Sequence, residues 1–544
     1  MGVGLAVLVA LAAPAALAQS GTPVVEAARQ LTTNENPTRL YNHPAVGIDP
    51  TDPANVVVAT GDTRNGGCSL RVSRDGGLSW GESAAFVPED RPFCIQRNFG
   101  RALDVAFASD GTMHVGLSGS STETDLPHPN GPIDALAARS NNLGQTFDVA
   151  TLVAAGIRDY ELRDGSTEEA VEHNKNNSIA VDPNEPEVVY RGWRWTVRGV
   201  DQAPVPGWSL GCPDNCAPTR AHLAVSTDGG QSWGEPVDLG DAAGLDDVFG
   251  FDMPEIVVTS DGTVYAFASE RPDRTDDAPD PRFFMFTSSD QGQSWDSTVI
   301  YEDVPETRQP EAAVDPGDDT LYLTWSEHGE DRDSPSNIMF MASSDGGSTW
   351  TDPISLTDED EVANFNQYLP GISVAPNGRI DVAWYDYRND PFWDPAQAAD
   401  EDELHDAPEE RFWDVYYRSS HDGGQSWSES LRVTDRLIDA TVGVTFSNKD
   451  IRGPIGVAST NSAALFAWSD SRAGGVDHHV EDVYFTRVRH AADTATDGGG
   501  TAATSGLQWG AMGAAVALLV AGGLMFVVSR AAGAKAPRTK EAPA

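Results

Sequence analysis

One alternation of apolar and polar positions returns seven times along the chain: a short alternating run, a turn rich in Asp, Pro and Gly, then a denser apolar run. The copies read PAVGIDPTDPANVVVAT (44–60), ALDVAFASDGTMHVGL (102–117), NSIAVDPNEPEVVYRGW (177–193), PEIVVTSDGTVYAFASE (254–270), PEAAVDPGDDTLYLTWSE (310–327), PGISVAPNGRIDVAWYD (370–386) and PIGVASTNSAALFAWSD (454–470). Period-two alternation ended by turn residues predicts a strand, and the apolar run beyond the turn predicts its buried partner.

Six of the seven units continue through a further apolar run, such as HLAV, FFMF or NIMFMA, into an octapeptide. Its copies are SRDGGLSW (73–80), STDGGQSW (226–233), SSDQGQSW (288–295), SSDGGSTW (343–350) and SHDGGQSW (420–427), with a degenerate SNNLGQTF at 140–147. Asp accepts from backbone N–H groups two residues on, Gly tolerates positive φ, and Trp supplies a large apolar plug, so each copy predicts a hairpin turn.

The seventh unit runs into DVYFTRV and stops without an octapeptide or a fourth strand. A substitute lies far upstream, because TPVVEAARQLTTNENPTRLYNHPAVG is similar to the stretch after an octapeptide elsewhere, DPISLTDEDEVANFNQYLPGIS. Residues 22–33 are therefore expected to complete the last unit. The expected fold is an all-β propeller of four-stranded antiparallel blades spanning 22–490, closed by the N-terminal strand. Seven blades is the preferred count and six the alternative.

The ends of the chain add export and anchoring. The apolar run VGLAVLVALAAPAAL, closed by Ala16-Leu17-Ala18, predicts a signal peptide over 1–18. A Gly/Thr/Ala linker over 491–506 leads to an uncharged stretch, and 507–529 is expected to be a transmembrane helix. Arg530, Lys535, Arg538 and Lys540 make 530–544 a short basic cytoplasmic tail, which leaves the propeller outside the cytoplasm at the cell surface.

A net charge of -47 argues against nucleic acid as a partner and for a strongly hydrated surface. Acidic blocks such as DEDELHDAPEE read as solvated loops. They leave calcium open as a ligand although no EF-hand spacing is present, and no other cofactor is expected. Four cysteines in an exported chain suggest two disulfides, most simply Cys68/Cys94 and Cys212/Cys216. Zinc is the weaker reading, since C-x3-C occurs once without a second ligand pair, and no metal site is assigned.

Aligning the seven units on their first turn puts one residue per unit seven positions before it: Asn42, Arg101, Lys175, Asp252, Arg308, Tyr368 and Arg452. In a propeller these positions line the inner rim. Guanidinium groups match carboxylates bidentately, so three Arg and a Lys on one rim point to an anionic ligand. Loops after the apolar strands add Trp384-Tyr385-Asp386-Tyr387-Arg388 and Trp468-Ser469-Asp470-Ser471-Arg472. There Trp384 and Trp468 read as core. Asp386 and Arg388 read as sugar contacts, or as a pair bracing its own loop.

The octapeptides resemble the Asp-box, or BNR, repeats of the sialidase superfamily, Ser-x-Asp-x-Gly-x-x-Trp, with five full matches and one degenerate one across about 24–490. The resemblance implies that the boxes are scaffold and that the working face lies opposite them. It further implies an arginine triad for a sialic acid carboxylate, here Arg101, Arg308 and Arg452, with Tyr368 as nucleophile and Asp252 as its base. In ATGDTRNGG, Asp62 matches the acid/base Asp, and Arg64 is a neighbouring anion contact. The chain departs from the family pattern in its first unit, which reads Asn42-His43-Pro44 where the family has Arg-Ile-Pro. The expected function is a membrane-anchored sialidase-type glycoside hydrolase acting on terminal acidic sugars. The alternative is a non-catalytic surface propeller that binds glycan or protein.

Overall fold

The computed structural model describes residues 22–33, 39–62, 67–81, 103–120, 131–161, 167–199, 219–245, 250–270, 281–302, 310–328, 335–357, 365–392, 412–439, 442, 453–474 and 480–490. The chain divides into Met1–Asp493 and Thr494–Ala544, and every described residue belongs to the first unit. The segments read as signal peptide, linker, membrane helix and basic tail lie outside the described residues. Among those described, no helix is long and apolar enough to cross a membrane.

Each repeat folds as an antiparallel meander. The fourth unit is representative: Glu255–Val258, Val264–Ser269, Phe283–Ser288 and Asp296–Tyr301 pair in chain order, and the apolar second strand is buried throughout. The first unit shows three described strands, Tyr41–Ile48, Val56–Asp62 and Gly67–Ser73. A parallel bridge between Ile133 and His173 fuses the second and third units into one sheet.

The seven units succeed one another around a ring. Successive innermost strands touch in chain order, and that of the seventh unit, Gly456–Thr460, returns to Tyr41–Ile48. Seven apolar clusters fill the seven seams. Leu70 with Val115, Trp193 with Ala135, Tyr190 with Ile256, Phe267 with Leu323, Phe340 with Val382, Tyr417 with Phe466, and Phe485 with Val58 each join neighbouring units. Among the described residues no sheet closes on itself. Burial of both faces of every blade closes the ring.

The seventh unit takes its outer strand from the N-terminus as the pattern predicts. Val24 and Val25 pair with Arg489 and Val488, and Arg29 and Gln30 with Phe485 and Tyr484. Asp482, fully buried, accepts from Thr32 Oγ1 at 2.7 Å, Gln30 Nε2 at 2.9 Å and Arg39 Nη2 at 2.7 Å, so the closing segment is held by charge as well as backbone.

Innermost strands have one edge without a ladder partner, and side chains of the preceding blade cap it. Asp104 accepts the Ile179 N–H at 3.1 Å, and Ser178 Oγ accepts that of Ile256 at 3.1 Å. Close approach of these strands demands glycine at one point in particular: a Cβ on Gly371 would stand 2.1 Å from the Ile455 carbonyl oxygen. A small cavity of about 60 Å³ remains between the strands, lined by Pro44, Asp104, Glu311, Gly371, Pro454 and Gly456 among others.

The octapeptides fold alike. In STDGGQSW the Ser226 oxygen accepts the Gly230 N–H at 2.8 Å, and Asp228 accepts the N–H of Ser232 at 2.8 Å and its hydroxyl at 2.6 Å. Those bonds to its charged form pull the carboxyl of Asp228 down to about 2, and the same bonds do so for Asp75. Each turn also rests on the preceding blade: Trp80 meets Phe485 edge-on at 4.7 Å, and Trp427 meets Phe340 at 4.9 Å. Cys68 is buried and disulfide-bonded. Cys94, Cys212 and Cys216 lie outside the described residues.

Candidate functional site

Because strands alternate in direction, the octapeptides and the first turns of all units share one end of the blades. The openings of the innermost strands and the ends of the second strands share the other. Of the aligned rim positions, Asn42, Lys175, Asp252 and Tyr368 fall among the described residues. Arg64, Arg101, Arg308 and Arg452 lie outside them.

The alignment has a backbone counterpart. Register breaks between Asn42 and Ala45, Lys175 and Asn177, and Tyr368 and Gly371 place a bulge just after the rim residue in three blades. The next residue is left-handed each time: His43 at φ 54°, Asn176 at 59° and Leu369 at 54°. Gly453, the corresponding residue of the seventh unit, has φ 94°. Non-glycine residues rarely occupy that region, and bulges of this kind re-aim the side chains beside them.

Lys175 is buried, opposite Arg194 in the ladder. Arg194 Nη1 lies 2.8 and 3.0 Å from the two oxygens of Asp252, and Asn176 Nδ2 lies 3.5 Å from one of them. Asp252, expected to be a base, is thus committed to a buried guanidinium. Asp62, expected as acid/base, is 4% exposed and accepts the Leu40 N–H at 3.1 Å. That bond tethers the strand opening.

Tyr368 is half-buried between two rings, His328 of the preceding blade at 6.2 Å and Tyr387 edge-on at 6.1 Å. The loop beyond differs from the sugar-contact expectation. Asp386 has no exposed surface: it accepts from Trp384 Nε1 at 2.9 Å, the Arg388 N–H at 2.9 Å and Arg388 Nη2 at 2.7 Å. Arg388 in turn lies 3.9 Å over the Tyr416 ring. Asp470 repeats the arrangement with Trp468 at 3.0 Å and Arg472 at 2.8 Å. These pairs brace their own loops, and both tryptophans are core.

The fifth blade carries the same motif with two changes, glutamate in place of aspartate and no arginine after it. Trp325 donates to Glu327 at 2.6 Å and Tyr301 donates to its other oxygen at 3.3 Å, but the arginine is missing, since Gly329 stands two residues on. Burial raises the Glu327 carboxyl above the usual carboxylate range, and burial with the neighbouring Glu327 charge pushes Tyr301 up to about 12. Glu327 precedes His328, the residue packed on Tyr368. Sequence reasoning missed it. The signal was present in LYLTWSEHG, whose Trp-x-acid spacing matches Trp384-x-Asp386 and Trp468-x-Asp470. Among the described residues, no group of three or more His, Cys, Asp or Glu could hold a metal ion.

No family profile matches the chain, and no curated protein matches it. Solved structures do. The Hadza microbial sialidase Hz136 is 14% identical with a TM-score of 0.40, covering 80% of this chain and 73% of that one. The phage phi92 endosialidase is 10% identical with a TM-score of 0.45, covering 88% and 71%. A Dyadobacter fermentans protein of unknown function is 11% identical with a TM-score of 0.43, covering 85% and 99%. The chain is similar to these in its overall path, and no residue role rests on them.

Proposed function

We propose that the face opposite the octapeptides binds and hydrolyses a terminal acidic sugar, in the manner of a sialidase-type glycoside hydrolase on an exported, membrane-anchored chain. The observation that carries this reading is the contrast among the three Trp-acid pairs. Asp386 and Asp470 are neutralised by Arg388 and Arg472, whereas Glu327 is held by neutral donors alone and burial raises its carboxyl above the usual carboxylate range. A carboxyl in that condition suits a general acid, which must carry its proton at working pH. Tyr368 is the proposed nucleophile, the exception to the usual carboxylate pair. Lys175 and the arginines at 101, 308 and 452 would hold the sugar carboxylate.

The test is hydrolysis of a fluorogenic sialoside by the full chain and by Glu327→Gln, Tyr368→Phe and Arg308→Ala. Turnover lost in all three supports the reading. Absence of turnover in the unmodified chain across pH 4 to 8 would sink it.

A second reading, glycan binding without turnover, is favoured by the engagement of Asp252 with Arg194 and of Asp62 with Leu40. It predicts retention on immobilised acidic glycans that survives Tyr368→Phe and Glu327→Gln but not Arg308→Ala.

A further inference from the structure

Six seams of the ring are closed at the octapeptide end by an octapeptide resting on the preceding blade. Its fifth residue, always glycine, lies against that blade: Gly77 on Phe485, Gly144 on Leu70, Gly230 on His114, Gly292 on Val225, Gly347 on Met285 and Gly424 on Phe340. The seventh blade has no octapeptide, so the seam between the sixth and seventh blades lacks this plug.

A buried polar cluster takes its place. Asp381 is the second residue of its strand, Ile380–Asp386, as His114 and Tyr265 are of theirs, and those two lie beneath Gly230 and Gly346 of the following blades. Asp381 receives Arg379 Nε at 2.9 Å and Nη2 at 2.9 Å, Tyr417 Oη at 2.6 Å and, across the seam, Ser459 Oγ at 2.6 Å. Arg379 reaches across as well, to the carbonyls of Thr460 at 2.9 Å and Asn461 at 3.2 Å. Tyr417 lies 2.7 Å from His490 Nε2 of the seventh blade, and the His490 backbone N–H bonds Ser462 at 2.8 Å.

Proton counting sets the direction of each bond. Tyr417 has one hydroxyl proton and gives it to Asp381, whose oxygens also accept from Arg379. The Tyr417 oxygen is therefore an acceptor towards His490, and Nε2 of His490 carries the imidazole proton. Nδ1 is then a bare, buried nitrogen with no hydrogen-bond partner among the described residues. The groups facing the ring are Tyr417, Arg379, Asp381 and the imidazole of His421, edge-on at 6.0 Å. None bonds Nδ1 in this arrangement: the Asp381 oxygens are already taken up by Arg379, Tyr417 and Ser459, and the charge of His421 works against a cation on His490.

We propose that this cluster is an acid-sensitive latch, in which protonation of His490 at Nδ1 unseats it from Tyr417 and parts the seventh blade from the sixth at the octapeptide end. A proton from solvent adds to Nδ1 and no other bond is made. It creates an N–H without an acceptor at a buried nitrogen and a cation beside Arg379, both unfavourable. Burial, with the nearby Arg379 charge, lowers His490 to about 4, so the latch is shut at neutral pH and opens in acid. The other six seams keep their octapeptide plugs; one of these, Gly230 on His114, carries a buried imidazole of its own, so the reference is the Trp427–Phe340 seam, whose plug rests on a phenylalanine.

The experiment is amide exchange on the full chain between pH 7 and pH 3.5, with protection at Thr460–Ser462 normalised to the Trp427–Phe340 seam. The latch predicts at least an about tenfold loss of relative protection on acidification, reversed on return to neutral. His490→Gln, whose amide can still donate to Tyr417 but does not titrate, should flatten the profile. Tyr417→Phe should lower protection at every pH. If either variant fails to fold, NMR titration of the His490 ring in the unmodified chain decides, since its midpoint must coincide with that of seam opening. Opening that persists in His490→Gln, or midpoints more than about one pH unit apart, would overturn the proposal.

Discussion

Trp325 donates its indole N–H to Glu327 across 2.6 Å, and no arginine follows to neutralise the acid. Replacing Glu327 by Gln keeps the oxygen that accepts from Trp325 but removes the transferable proton. On the proposed reading kcat should fall by about 10²- to 10⁴-fold with KM little changed. A group whose carboxyl is raised loses its proton as pH climbs, so the alkaline limb of the pH profile should vanish in the variant. Initial rates across the pH range check this.

Asp386 and Arg388 predict the opposite split. Arg388→Met leaves a buried carboxylate without its cation, and should cost about 3–5 kcal/mol in urea unfolding, the usual penalty for an orphaned buried charge. Affinity for ligand in the folded fraction should stay unchanged. A selective loss of ligand affinity with unaltered stability would instead restore the direct sugar contact.

Three histidines tie stability to pH. His114, His222 and His490 are each lowered from 6.5 to about 4, first of all by burial. The unfolded chain therefore binds more protons than the folded one between those values. Stability should be fully present above about pH 6.5, decline as pH falls towards 4, and lose nothing further from these groups below it, each contributing on the order of 1–3 kcal/mol. Urea midpoints at pH 7 and pH 5 for the unmodified chain and for His114→Gln measure one share, which should shrink the difference.

Gly371→Ala should destabilise without touching any rim side chain. Its Cβ would collide with the Ile455 carbonyl, a backbone atom that cannot swing aside. A loss of about 2–4 kcal/mol is expected by thermal or urea unfolding. A neutral result would mean that the innermost strands can slide apart at this seam.

The ring was legible in the sequence because two repeated signals report it independently: a period-two apolar run and a turn that needs Asp, Gly and Trp. Strand openings could also be aligned by counting, and the left-handed residues at 43, 176, 369 and 453 agree with that count. Side-chain commitment was not legible. Nothing in Trp-x-Asp-x-Arg says that Arg388 folds back onto Asp386, and nothing near Asp252 names Arg194, 58 residues away, as its partner. Glu327 escaped notice for a related reason: a missing arginine is visible only once the braced pairs are seen.

The pairing of Gln30 with Asp482 spans 452 residues, and Val24 meets Arg489. During synthesis the N-terminal strand therefore waits, unpaired, until the third strand of the last blade has been made, roughly 20–90 s at ordinary elongation rates. Through that interval six blades can form from local contacts while one edge stays open to other chains. The final seal is thus the last contact of the fold to form, and until then the unsealed edge is open to pairing with neighbouring nascent chains.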